Sequence, residues 1–348
     1  MTFNFFILIF THFALENLIL KEKKKLKKKI EISEFSKNLM LKEKDENYIK
    51  NKLAYKTRIP VGYGTDDKNV FPTLVAIISL VENAGPNTYY DIFILHPGNF
   101  NMGKNLKIFK SVEKNHYNNC SINLINMGNK YSELPFKKNR TMAPTYYRLD
   151  IHNKLPGRDR AIWLDGDTLV FEDLSDLIKI DMKGNYVLGF PDSFVEHMET
   201  FGLKNSTMIC AGVLLIDLEG LRKNNYTEKI NNFIIKERNR LKAHDQTVLN
   251  AVLHGKKGLL PPKYGMWSFP SKNVAKKHFE KLKPWAKYDD EKEFMYAMNH
   301  PAILHFIFPK PFWNTERPPF RKEWWDYARK SEYFKEIFKY AKNYRRKK

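Results

Sequence analysis

Apolar positions along this chain fall into short runs that alternate between a strand-like and a helical period. From Arg58, "RIPVGYGT" reads as a first strand, and "VFPTLVAIISLVENAG" follows with helical spacing at Leu74, Ile77, Ile78 and Val81 and a stop at Gly85. "YYDIFILH" (89–96) then reads as a strand, "MGKNLKIFKSVEKN" as a helix and "CSINLIN" as another strand. This βαβαβ alternation predicts an α/β fold, with a parallel sheet covered by helices on both faces. Further on, "MAPTYYRLDIHNKL" reads as a helix and "AIWL" as a strand. "YVLGF", "ICAGVLLIDL", "GLLPP" and "AILHF" are later short strands, with "HDQTVLNAVLHG" a helix among them.

The pattern fades at both ends. Residues 21 to 56 are lysine-rich and weakly periodic, which reads as a linker or solvated helix. After Pro318, Trp324, Trp325, Phe334 and Phe338 stand among many lysines, the pattern of a basic amphipathic helix. The expected organisation is an N-terminal extension over 1–57, a folded domain over 58–318 and a basic aromatic tail over 319–348.

With 348 residues, 43% of them hydrophobic, the chain is long enough to bury a full core. A formal charge of +21 changes the picture, because much of it is segregated into "KEKKKLKKK" (21–29) and "NYRRKK" (343–348). Such runs are solvated tails or contacts for an anionic partner. Nucleic acid is not expected, since the lysines cluster at the termini and not among stacking aromatics on a folded face. An anionic membrane surface is. The first twenty residues are apolar but interrupted by His12 and Glu16, and they lack the basic start of a secretory signal. They are marginal for spanning a bilayer, so a short anchor and a simple extension both stay open. Lysines directly after them would leave the following domain in the cytoplasm, peripheral at the inner face of the membrane. Cys120 and Cys210 cannot form a disulfide framework and have no zinc-ligand spacing, which fits a reducing compartment.

The stretch that carries chemistry is "RAIWLDGDTLVFEDL" (160–174), in which an apolar strand runs into two aspartates separated by a glycine. Ligands of open α/β sheets bind beyond the carboxyl ends of the strands, where strand order reverses. Asp165 and Asp167 follow a central strand and Asp66 and Asp67 the first one, so both pairs are placed for a site. Gly166 allows a tight turn in which Asp165 and Asp167 converge on one hard cation, Mg²⁺ or Mn²⁺. Asp-Gly is also ordinary turn chemistry, and taken alone such a motif is more often structural than metal-binding.

The wider context is a set of segments in one order: "YGTDDKNVFPTLVAIIS", "TYYRLDIHNKLPGRDRAIWLDGDTLVFEDL", "AGVLLIDL", "HDQTVLN" and "LHFIFPKPFW". Together they resemble glycosyltransferase family 8, which includes bacterial lipopolysaccharide galactosyl- and glucosyltransferases and glycogenin. The resemblance implies a Rossmann-like nucleotide-binding domain of the GT-A kind, a divalent metal (usually Mn²⁺), a UDP-hexose donor, a glycan or glycolipid acceptor and retention of anomeric configuration. It implies Asp165, Asp167 and His305 as metal ligands, and Asp66, Asp67, Arg148, Gly166, Ala211, Gly212 and Lys310 as donor-binding residues. Asp245 and Gln246 are implied near the reacting sugar, and Asp192 at its hydroxyls. From the residues alone, Asp66, Asp67 and Asp245 serve equally as charges at helix N-termini, and Arg148 as a surface partner of Asp150. The chain departs from the family pattern at Cys210, where an asparagine is usual, and at Phe308, where a glycine is. These departures admit a second reading, a UDP-sugar or glycan-binding protein without turnover.

Overall fold

The computed structural model describes Tyr55 and residues 57–346 except 116–117, 135–142, 195, 204–207, 284–289, 308–310 and 312–317. The opening alternation forms as its periodicity predicts: β1 (Thr57–Gly64), α1 (Val70–Glu82), β2 (Thr88–His96), α2 (Met102–Asn115) and β3 (Cys120–Asn126). β1 pairs with β2 and β2 with β3, all parallel. The chain then returns to the far side of β1, where β4 (Arg160–Leu164) also pairs in parallel. Strand order therefore reverses between β1 and β4, and a crevice opens beyond their carboxyl ends.

After the short β5 (Thr168–Val170) come β6 (Val187–Asp192), β7 (Met208–Asp217) and β8 (Lys257–Leu259), completing a seven-stranded sheet of order β3-β2-β1-β4-β7-β6-β8. β7 alone is reversed in this sheet, antiparallel to both β4 and β6. A second sheet has the order β5-β10-β9, from β9 (Tyr264–Trp267) and β10 (Ile303–His305). Its register places His305 opposite Thr168, the first residue after the two aspartates.

Alternation along β4 sorts the core into two clusters. Ile162 and Leu164 join α1 on one side, while Ala161 and Trp163 join the helices that cover the other. Those helices differ from the single element expected over 142–155. They are α3 (Ala143–Tyr146), a 3₁₀ turn (Tyr147–Leu149) and α4 (Ile151–Lys154). Tyr146, Tyr147, Arg148 and Leu149 are all buried, which one stripe of a regular α-helix cannot achieve, and the tighter turn accommodates them. α5 (Glu196–Glu199), α6 (Leu218–Lys223), α7 (Tyr226–Glu237) and α8 (His244–Val252) follow, then α9 (Lys272–Leu282) and α10 (Glu291–Asn299).

The C-terminal segment forms two helices, α11 (Arg321–Arg329) and α12 (Phe334–Arg346). They are part of the core: Trp324, Ala328, Ile337 and Ala341 are buried in the same cluster as α1. Polar contacts tie both ends of α1 to them. Lys330 pairs with Glu82, the Asn83 amide lies 2.7 Å from the Tyr327 hydroxyl, and the Tyr340 hydroxyl donates to the Lys68 carbonyl at 2.6 Å. Among the described residues no helix is long and apolar enough to cross a membrane.

Candidate metal centre

Beyond β4 the chain turns tightly. Asp165 N donates to Gly212 O on β7 at 2.8 Å, and the Thr168 hydroxyl closes the turn on Asp165 O, also at 2.8 Å. Gly166 sits against α1, where a Cβ would lie 2.4 Å from Thr73 Oγ1 and 3.3 Å from Thr73 Cα. The glycine is therefore required by close approach to α1 and not by a left-handed backbone, since its φ is not positive. β10, laid antiparallel on β5, then brings in His305, whose Nε2 is 3.1 Å from Asp167 Oδ1 and 3.8 Å from Asp165 Oδ2. One ligand atom from each of the three residues lies within 4.8 Å of the others. The imidazole packs directly over Gly212, where a Cβ would meet His305 Cε1 at 2.0 Å.

This grouping calls for positive charge. Burial alone would lower the His305 pKa, but the adjacent Asp167 carboxylate overrides it and lifts it to about 10. Two carboxylate oxygens and an imidazole nitrogen meeting at one point suit a divalent transition ion such as Mn²⁺, with Mg²⁺ less favoured by the nitrogen. The residues present thus fit the metal that the sequence pattern implies.

Arg148 stands behind the carboxylates. Its guanidinium is buried and fully engaged: Nη2 donates to Asp165 Oδ1 at 2.8 Å, Nε to Thr145 O at 2.6 Å, and Nη1 to Ala211 O. Nε also lies 3.0 Å from Asp245 Oδ2. Burial opposes its charge, yet Asp165 and Asp245 hold its pKa above the ordinary arginine value. Asp245 shows the converse, with burial pushing its carboxyl up to about 6 in spite of Arg148. Asp150, the alternative partner for Arg148, pairs with Lys130 at 2.7 Å.

The remaining candidates form a second tier. Gln246 bridges β7 and β6: its Oε1 accepts from Ala211 N at 3.1 Å, and its Nε2 donates to Asp192 Oδ2 at 2.8 Å. Burial raises the Asp192 pKa against that bond. Asp66 Oδ1 accepts from Lys68 N, Asn69 N and Asn69 Nδ2 at 2.8–3.1 Å, closing the turn into α1. Asp67 Oδ1 accepts from Asn101 N at 3.0 Å and so ties this turn to the start of α2. Both aspartates lie at the crevice and each has a structural hydrogen bond there. Lys310 and Phe308 fall outside the described residues, as do residues 1–54.

Two side chains at the site were not singled out for it from the sequence. Trp163 donates Nε1 to Asp165 Oδ1 at 3.1 Å and stacks beneath Arg148, whose Cζ lies 5.2 Å from the ring centroid. The signal was present, because residues two apart on a strand share a face. Cys210, noted only as a departure, places Sγ 3.7 Å from His305 Nδ1.

Comparison with known proteins bears on the fold and the family. General stress protein A of Bacillus subtilis is 30% identical over 189 residues, 52% of this chain and 63% of that protein. Glycosyltransferase GlyB of Streptococcus pneumoniae is 26% identical over 226 residues, 65% of this chain and 50% of that protein. The chain thus spans less than two thirds of these relatives. Among solved structures, galactosyltransferase LgtC in complex with donor and acceptor sugar analogues superposes with a TM-score of 0.63 at 19% identity, covering 79% of this chain and 96% of that one. The bifunctional WbbM gives 0.62 at 22% identity, covering 82% and 52%. Identities this low establish the fold, a mostly parallel GT-A-like sheet with its helices. The model of glycosyl transferase family 8 matches residues 43–317, most of the sequence, and the chain belongs to that family.

Proposed function

We propose that this chain is a metal-dependent retaining glycosyltransferase that moves a hexose, glucose or galactose, from a UDP-sugar to a hydroxyl of a surface glycan such as lipopolysaccharide or capsule. The observation that carries the reading is the convergence of Asp165, Asp167 and His305 at the switch point of the sheet. Those three would hold Mn²⁺, which when bound supplies Lewis-acid neutralisation of the donor diphosphate. Arg148 pairs with Asp165 and fixes its Oδ1, so that Oδ2 is left to face the site. Asp245 holds Arg148 in turn; its buried carboxylate points at the guanidinium, and we assign it this electrostatic role and not attack on the sugar. Gln246 sets the spacing of Ala211 and Asp192, placing carbonyl and carboxylate oxygen where positive charge develops on the sugar. Asp66 and Asp67 would meet the nucleoside end of the donor, with Gly166, Ala211 and Gly212 giving close backbone approach and Lys310 binding the diphosphate. Residues 58–318 are the catalytic domain in this reading.

The protein would work in the cytoplasm at the inner face of the membrane. Support comes from an aromatic group on α11 and α12, in which Trp325, Phe334 and Phe338 lie 6.1–6.5 Å apart and share a recess with Arg321, Lys322 and Arg329. Phe338 is exposed and Trp325 and Phe334 are partly so; Glu323 also lines the recess and Asp326 pairs with Lys322 and Arg329, and aromatics ringed by basic residues in this way suit anionic lipid.

UDP release from a panel of UDP-sugars with Mn²⁺, beside an Asp165→Ala, Asp167→Ala double variant and an EDTA control, tests the proposal. Metal-dependent release from one donor, lost in the variant, is expected. UDP binding without release from any donor, with acceptor glycans supplied, would favour the binding-only reading instead.

A further inference from the structure

A histidine that ligates a metal through Nε2 must carry its proton on Nδ1, and something must hold that proton and the ring with it. In this chain the other ligands are already held from behind: Asp165 Oδ1 takes bonds from Arg148 and Trp163, and Asp167 O accepts from Phe306 N at 3.0 Å. On the His305 side, the ring face is fixed by Gly212 and the neighbour of Nδ1 is Cys210 Sγ at 3.7 Å. Cys210 is 5% exposed and His305 is likewise buried, so solvent does not compete for that contact.

We propose that Cys210 is a positioning residue for His305: its sulfur accepts the Nδ1 proton, which selects the tautomer and ring orientation that turn Nε2 toward Asp165 and Asp167. This inference rests on the metal reading given above. It explains why a thiol is serviceable at a position where the family pattern has asparagine. Sulfur is a weak acceptor, but at this range it needs no chain longer than one methylene. The alternative role for a buried cysteine is that of a small apolar filler, and the two make opposite predictions for substitutions that separate volume from acceptor capacity.

The test is Mn²⁺ affinity of the full chain in the presence of UDP, read by the electron paramagnetic resonance signal of free Mn²⁺, with thermal stability measured alongside. Cys210→Val keeps the apolar bulk and removes the acceptor; a loss of about tenfold in Mn²⁺ affinity is expected, the lower end for changes behind a metal ligand. Cys210→Ser keeps an acceptor and should stay within about threefold of the native chain, on the same principle. If Cys210→Val bound Mn²⁺ as the native chain does, the positioning role would be overturned while the metal site stood. Equal losses in both variants with parallel falls in melting temperature would make the cysteine a packing residue and overturn it as well. If the native chain showed no Mn²⁺ binding sensitive to Asp167→Asn, the metal reading would itself fall, and this inference with it.

Discussion

Arg148→Gln is the most informative single change, because one buried guanidinium serves two carboxylates and two backbone carbonyls. Glutamine is shorter and neutral, so Asp165 and Asp245 would lose their shared cation while Asp245 stays buried. Removing one partner of a buried ion pair costs about 3–5 kcal/mol, a large share of the 5–15 kcal/mol that typically stabilises a domain. Asp245→Asn should be far cheaper, about 1 kcal/mol, because Arg148 keeps Asp165 and the amide oxygen can still accept. The asymmetry should depend on pH. Asp245 has a folded pKa of about 6 against roughly 3.9 unfolded, so it favours folding below pH 4 and loses that contribution as the pH rises through 6. Without Arg148 the buried Asp245 carboxylate can escape the penalty only by protonation, so the destabilisation of Arg148→Gln should be small near pH 5 and full near pH 8. Urea denaturation at these two pH values, with Asp245→Asn as the comparison, reads this directly. Equal destabilisation by the two substitutions, or an Arg148→Gln loss that does not change with pH, would refute the electrostatic account of the site.

Gly212→Ala forces a methyl into the His305 ring and should abolish Mn²⁺ binding, measured by calorimetry, while costing about 1–3 kcal/mol in stability as other overpacked sites do. His152 and His278 are each held down to about 4 by burial, against about 6.5 unfolded. Both favour the fold above pH 6.5 and lose that contribution as the pH falls toward 4, on the order of 3 kcal/mol each by linkage. The melting temperature should therefore fall between pH 7 and pH 5, and His278→Phe should flatten the slope; a native chain insensitive to pH there would contradict the burial argument. Trp324→Ala should cost about 3–5 kcal/mol, as for a core tryptophan. Phe338→Glu, at a site 56% exposed, should leave the melting temperature unchanged but weaken sedimentation with anionic vesicles.

Where burial follows simple periodicity, the sequence was a sufficient guide. β1 to β3 with α1 and α2 form within a few residues of the runs that predict them, and the two aspartate pairs emerge at the crevice because strand ends are visible in the apolar pattern. The short β5 and β9 escaped notice, since three or four residues carry too little alternation to register, yet β5 is what delivers His305 to Asp167. Only the family resemblance marked His305. Arg148 was read as a donor residue with a surface ion pair as its alternative; its burial between two carboxylates depends on a 3₁₀ turn that propensity does not reveal. The C-terminal segment read as a basic amphipathic helix, and it is helical; what its apolar stripe packs on, α1, lies too far away in sequence to be read from the pattern.

The reversal of β7 has a consequence for how such a site can diversify. In an all-parallel sheet, every residue at the working end would follow a strand, on loops free to change length. Here Cys210 to Gly212 reach that end from within β7, at the register shift of its pairing with β6, and are held there by single bonds, Gly212 O to Asp165 N and Ala211 N to Gln246 Oε1. A change of length here would displace the carbonyl and the amide that Asp165 and Gln246 hold, whereas a side chain can be exchanged in place. A substitution there alters one atom group beside His305 while those two bonds stay in place, and the thiol of Cys210 is a group of that kind.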